Sequence, residues 1–400
     1  MKYVASRKAT VALLCTWLVG ACLVSGSALS DPAGAAASIA EVGAGGGAVT
    51  PAPQNSLRFE AEPLIAASVS PQIYAPHFVS GHATESWRYL FSFPNGYVLI
   101  AEFRITNRGP GSGTGIAFGT IITPDGRSAN LTNSRPRDRW SWQVDDDGIE
   151  LNIADQSLDI RPPTLTVVVN HGRGSFSIEA RSLTDMYRPG RLDYGNGKFY
   201  DMTILAPRLE AHGTVQLPGE EEVQLEGGFG IGVHSYSNLN EEEQAISSLR
   251  FDTFDDGLQL SIFEIIAPRE KDYQRIRLLL LIEENRIAYH SYEHERQYTE
   301  LHRDPEGSHY PIPQGLIFSD AREGESIEGE ATLRQLYRLQ PIDLINNMFL
   351  RFLLRRFVNP AIYHFAGDYG FRVDLGDGLR SIKGSGVATV HILDDPPTNF

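Results

Sequence analysis

"GGFGIGVHSYSNLN", residues 227–240, admits three readings. Its alternating Gly228, Gly230 and Gly232 suggest a phosphate cradle, its His-Ser-Tyr-Ser-Asn tail a reactive or metal-binding cluster, and the whole a β-strand with its loop. A dinucleotide fingerprint needs a helix opening directly after its glycines, so that amides at the helix N-terminus face the phosphates. Here the text runs EVQLEGGFGIGVHS with period-two alternation and no helix signal, which favours the strand. Glycines two apart leave one strand face bare, and a bare face permits a tight barrel bend or the close approach of a ligand.

The text on either side is written the same way. WRYLFSF, YVLIAEFRIT, GIAFGTIIT, RWSWQVD, IELNIA, LTVVVN and SFSIEA alternate apolar and polar residues, and are separated by PNG, NRGPGSG, PDG, DDDG and NHGRG. Strands this short, joined by turns rather than helices, predict an antiparallel barrel or sandwich and exclude βαβ units. A second β-rich block follows a turn-rich stretch at 182–207. The sequence therefore predicts two tandem antiparallel barrels, over 56–205 and 206–400, with one helix near the C-terminus. That helix is PIDLINNMFLRFLLRRFVNP (341–360): Pro341 suits its first turn, Arg351, Arg355 and Arg356 complement the dipole at its far end, and Asn359-Pro360 stops it. Its core, 342–357, is expected to pack on a barrel or touch lipid with its basic face.

Residues 1–30 have Lys2, Arg7 and Lys8 ahead of an apolar run, the order of an export signal. Both cysteines, Cys15 and Cys22, lie in it, so the rest of the chain folds without disulfides. LVGAC (18–22) reads as a lipobox that would leave Cys22 lipidated; cleavage after the small residues Gly26–Ala28 and an uncleaved anchor are the alternatives. Residues 31–55 form an Ala/Gly/Pro tether. The expected location is the periplasm of a bacterium, free or membrane-anchored. A net charge of −15 excludes a nucleic-acid partner, which would need a concentrated basic surface.

Other chemical signatures are weak. His290 and His294 are four apart with His302 and His309 downstream, but no HExxH occurs, and a polar strand accounts for them better than a metal. Gly384-Ser385-Gly386 is no nucleophile elbow. The acidic runs at 145–147, 220–222 and 241–243 sit between strands as solvated charge. Nothing in the text calls for a cofactor. Aromatic residues carry more: Trp87 with Tyr89, and Trp140 with Trp142, each project to one side of a strand and would line an apolar interior.

In order and spacing these pieces resemble the lipocalin-like two-barrel superfamily that includes oxidative-stress survival factors, AttH-type proteins and carotenoid 1,2-hydratases. The matching residues are Glu85, Trp87, Tyr89 and Gly96 in the first hairpin, then Pro207-Arg208, Gly213-Thr214, Val233-His234 and Arg250-Phe251. The resemblance implies two side-by-side barrels and an apolar pocket for a lipid or isoprenoid. It also implies either a carrier, with Trp87, Tyr89, Trp140 and Trp142 as lining and Arg208, His234, Tyr236 and Asn238 orienting a head group, or a cofactor-independent hydratase or cyclase. In the hydratase-like branch an acidic residue accompanies the motif's histidine, whereas His234 here is followed by Ser-Tyr-Ser-Asn. A catalytic acid would then be His234 itself or come from another strand, Glu85 or Glu264.

Overall fold

The computed structural model describes residues 57–59, 63–66, 74, 83–107, 112–255, 257–305, 309–341 and 360–394. Cys22, the leader, the tether and the expected helix at 342–357 lie outside the described residues. Among the described residues the chain is almost wholly antiparallel β, in one sheet of 14 strands and a second of nine. No helix among them is long and apolar enough to cross a membrane.

After the short strand Leu64–Ala66, the first sheet continues with the hairpin Thr84–Ser92 and Val98–Thr106. Its PNG turn closes because Gly96 adopts a φ of 86° and Phe93 accepts the Gly96 N–H at 2.9 Å. Pairing continues to Thr114–Ile122 near one end of the sheet, and a second run of hairpins leads from Trp140–Val144 at the other end to Gly174–Ser182. The sheet curls far enough for its ends to meet. The Trp140 ring lies on Gly115, where a Cβ would be only 2.8 Å away, and its indole donates to the Gly113 carbonyl at 2.8 Å. Alternate residues turn inward and make the core, among them Trp87, Tyr89, Phe91, Phe93, Phe103, Ile121, Val167 and Ile178.

The turn-rich stretch at 182–207 is not a linker. It is the hairpin Met186–Gly195 and Lys198–Gln216, turned by Gly195, Asn196 and Gly197, all with positive φ. The boundary drawn at 205/206 therefore cuts a single 19-residue strand. The following strand, Val223–Ser237, which the sequence assigned to the opening of the second barrel, belongs to the first sheet: it lies between Lys198–Gln216 and Thr84–Ser92. The chain changes sheets between Ser237 and Ser247, across the short helix Glu241–Gln244, whose Asn240 and Glu243 form a capping box.

The second sheet runs from Ser247–Thr253 to Arg380–Ile392 around its own core of Phe251, Leu260, Leu281, Phe318, Tyr363 and Phe371. Its ends are drawn together by ion pairs, Arg277 to Glu295 at 3.0 Å and Arg296 to Glu264. A third apolar cluster, including Leu90, Ile100, Met202, Ile231, Leu278 and Val387, fills the space between the two sheets. Polar links cross the same seam: Gln259 donates to the Pro207 carbonyl at 2.7 Å, and Arg104 pairs with Glu241 at 2.7 Å.

Candidate functional site

The register between Thr84–Ser92 and Val223–Ser237 explains the opening glycines. Opposite Gly232 stands Tyr89 and opposite Gly230 stands Phe91; Phe93 follows over Gly228. A Cβ on Gly228, Gly230 or Gly232 would fall 2.4, 2.7 or 2.5 Å from the facing ring. Such contacts are closer than carbon atoms tolerate, so large residues on one strand are matched to missing side chains on the other. The bare face is covered by the protein's own aromatic residues.

Two rungs beyond the glycines the pattern changes from packing to chemistry. Opposite Trp87 stands His234, and the two rings stack at 5.2 Å. Opposite Glu85 stands Tyr236. Since inward residues recur every second position, Glu85, Trp87, His234 and Tyr236 share one face. The His234 Nε2 and a Glu85 carboxylate oxygen lie 2.7 Å apart, with both side chains almost fully buried. The acid that the local sequence around His234 lacks is thus supplied by the adjacent strand, 149 residues away in sequence. Tyr236 is half-buried, with its ring 5.3 Å from that of Phe199, and the Arg191 guanidinium lies over the Phe199 ring at 3.5 Å. Burial raises the Tyr236 phenol pKa, the Glu85 charge raises it further, and Arg191 opposes both.

The remaining candidates divide. Trp87 and Tyr89 are in the same interior and wholly buried, and Trp140 lines it from the sheet's far edge with half-buried Trp142 beside it. Arg208 is elsewhere. Its guanidinium stacks at 4.5 Å on Phe229, which points away from the glycine face, and donates to the Asp255 carbonyl at 3.0 Å. It links the two sheets. Asn238 is also structural: its amide accepts from the Phe199 N–H and donates to the Gly197 carbonyl, both at 2.8 Å, and so pins the Gly195–Lys198 turn. His234 is enclosed and is no polar rim. Glu264 lies in the second barrel, bound to the buried Arg296, and has no contact with His234.

Among the described residues no three His, Cys, Asp or Glu side chains are placed to hold a metal ion. Burial holds His294 near pKa 4 and so neutral, and neither of its ring nitrogens has a partner. Two cavities lie apart from the Glu85–His234 pair. One, of about 290 Å³, opens at an end of the second sheet beside Glu283, Arg286 and Asp377; the other, of about 20 Å³, lies between the sheets beside Ile231 and Phe263.

Sequence reasoning named Glu85 and His234 but not their contact, and it missed Tyr74 as part of the same interior. The missed signal was the complementarity of two texts, Glu-x-Trp-x-Tyr-x-Phe-x-Phe at 85–93 and Gly-x-Gly-x-Gly-x-His-x-Tyr at 228–236.

Comparison of the sequence with known families finds no matching family model, and comparison with curated proteins finds no match either. Solved structures do match. The crystal structure of CghA with Sch210972 aligns with a TM-score of 0.58 at 14% identity, over 83% of this chain and 96% of that one. An AttH-type protein of Nitrosomonas europaea aligns with a TM-score of 0.56 at 12% identity, over 81% and 96%. Kievitone hydratase of Nectria haematococca also aligns at 0.56, with 10% identity over 86% and 98%. With both sheets and their order accounted for, the chain has the lipocalin-like two-barrel fold that these proteins share.

Proposed function

We propose that this protein is a cofactor-independent enzyme of the hydratase or cyclase type, acting on an apolar isoprenoid- or lipid-like molecule inside the first barrel. The observation that carries the reading is the Glu85–His234 contact of 2.7 Å, buried beside the Trp87 face. A carboxyl and an imidazole in contact share a proton that either can deliver or receive, which is what general acid–base chemistry on an unactivated bond requires. Protonation of one alkene carbon breaks the π bond, forms a C–H bond and leaves a cation on the other carbon. The Trp87 face is suited to stabilise that cation, as aromatic faces do for other cations. Water then adds to the cation through oxygen, and its surplus proton returns to the pair. Without water, loss of a proton from a neighbouring carbon to the pair completes an isomerisation or cyclisation. That one of the structural relatives is named a hydratase supports the same class of reaction. Because the pair is enclosed, substrate entry requires the barrel mouth to open.

Incubation with a panel of isoprenoid alkenes in deuterated water tests the reading, with mass spectrometry detecting deuterium on carbon. Glu85→Gln should lower turnover by about 10²–10⁴-fold. Unchanged turnover would remove Glu85 as the acid, and stoichiometric lipid binding by a protein that turns nothing over would leave the carrier function instead. Export through residues 1–30 and a lipid anchor at Cys22 complete the proposal, and Cys22→Ser should release the protein from the membrane fraction.

A further inference from the structure

The interior of the first barrel holds two phenols that proton transfer by Glu85 and His234 leaves unused. Tyr74 and Tyr89 are both fully buried, and neither hydroxyl has a hydrogen-bond partner. Tyr89 lies flat on Gly232, one inward step from His234 along the same strand. Tyr74 is joined to the site through Trp87, whose indole N–H donates to the Tyr74 carbonyl at 2.9 Å. Both residues belong to the same buried aromatic cluster of the first barrel. Burial raises the pKa of Tyr89, with Tyr74 adding to the rise, and Tyr74 itself is pushed up to about 12, so both remain protonated donors at any working pH.

An unpartnered buried hydroxyl costs about 1–3 kcal/mol. An apolar wall gains nothing from it, because phenylalanine covers a glycine equally well, as Phe91 and Phe93 do on the next two rungs. Tyrosine at the Tyr89 rung is therefore explained by something that the hydroxyl meets when the barrel is occupied.

We propose that Tyr89, together with Tyr74, is the specificity-determining donor pair that receives a carbonyl oxygen of the substrate, which makes the substrate an oxygenated apolar molecule rather than a hydrocarbon. This rests on the Glu85–His234 site as the place of reaction. A carbonyl oxygen has two lone pairs and can accept from both phenols at once. Along the strands, Tyr89 is four residues from Glu85, and Gly232 beneath it is two from His234. At about 3.3 Å per residue the held oxygen lies roughly 7–13 Å from the proton-transfer pair. The pair of tyrosines thus grips one end of the substrate and leaves the other end, against Trp87, to react.

The test is Tyr89→Phe in the full-length protein, read in two ways with β-ionone, an isoprenoid ketone, and the hydrocarbon of the same skeleton as probes. The wild type should bind the ketone more tightly than the hydrocarbon, and Tyr89→Phe should lose about fivefold to tenfold in ketone affinity with hydrocarbon affinity unchanged. The ligand-free variant should be as stable as the wild type or more so, since the hydroxyl has no partner to lose. A less stable ligand-free variant, equal wild-type affinity for the two probes, or failure to bind the ketone overturns the proposal. Glu85→Gln separates the two ideas. Lost turnover with a ketone affinity indifferent to Tyr89→Phe refutes the oxygen clamp alone, whereas retained turnover with a Tyr89-dependent ketone preference refutes the proton-transfer role alone.

Discussion

Each barrel buries one glutamate against a nitrogen base on its inner face, and the two bases differ in kind. In the first barrel Glu85 meets His234 at 2.7 Å; in the second, Glu264 meets Arg296, with Arg277 at 3.9 Å. An arginine keeps its proton throughout the working pH range, so the second pair is a fixed ion pair that ties the sheet ends together. An imidazole can hold a proton on either of two ring nitrogens, so the first pair has the groups that the proposed proton transfer needs. The surroundings match that division. Glu85 and His234 lie beside stacked Trp87 in an aromatic interior, whereas Glu264 lies between two arginines, Arg296 and Arg277. Buried charge is therefore no mark of a reactive site; the ability of its partner to release a proton is.

The contrast is broken most forcefully at the second pair. Glu264→Leu strands the Arg296 guanidinium in the core and should cost about 3–5 kcal/mol in urea unfolding, while Glu264→Leu with Arg296→Met should recover most of that loss. A single variant as stable as the wild type would mean that Glu264 does not hold the second barrel. A smaller effect is expected at the aromatic ladder. Gly232→Ala drives a methyl into the Tyr89 ring and should cost about 1–3 kcal/mol. Gly370→Ala, on a strand of the second sheet where a Cβ would meet only Lys383 at 3.8 Å, should lie within about 0.5 kcal/mol of the wild type. Equal losses at the two glycines would sink the account of large rings laid on empty positions.

The smallest effect separates the barrels by pH. Burial lowers the pKa of His294 to about 4 and of His364 to about 3, with neighbouring arginines assisting, and both belong to the second barrel. Because the folded pKa lies below the unfolded value near 6.5, the neutral histidines favour the folded state fully above that pH. The contribution is lost as pH falls from about 6.5 toward about 3–4. Between pH 6.5 and 5.5 each histidine should cost at most about 1.4 kcal/mol. His294→Leu should flatten the decline in unfolding free energy; an unaltered slope would show that His294 is not buried in its neutral form.

Much of the first barrel was legible because period-two alternation and turn chemistry are local. The PNG hairpin and the inward series Trp87, Tyr89, Phe91 can be read without knowing what lies across from them. The stretch at 182–207 misled because the same turn formers serve a tight hairpin and a linker, and only pairing distinguishes them. Arg208 and Asn238 misled in another way. The resemblance placed Arg208 at the site through its Pro207-Arg208 pair, and the tail after His234 placed Asn238 there, but strand direction turns Arg208 to the seam between the sheets, and Asn238 is spent on a turn.

By itself the sequence determined an antiparallel two-barrel chain with aromatic inner faces, since strand periodicity and turn residues act over a few positions. Which barrel the glycine-rich strand joins, and which acid meets His234, were decided by tertiary structure alone. Those outcomes depend on the register between segments some 149 residues apart, and register is a property of the assembled sheet rather than of either strand.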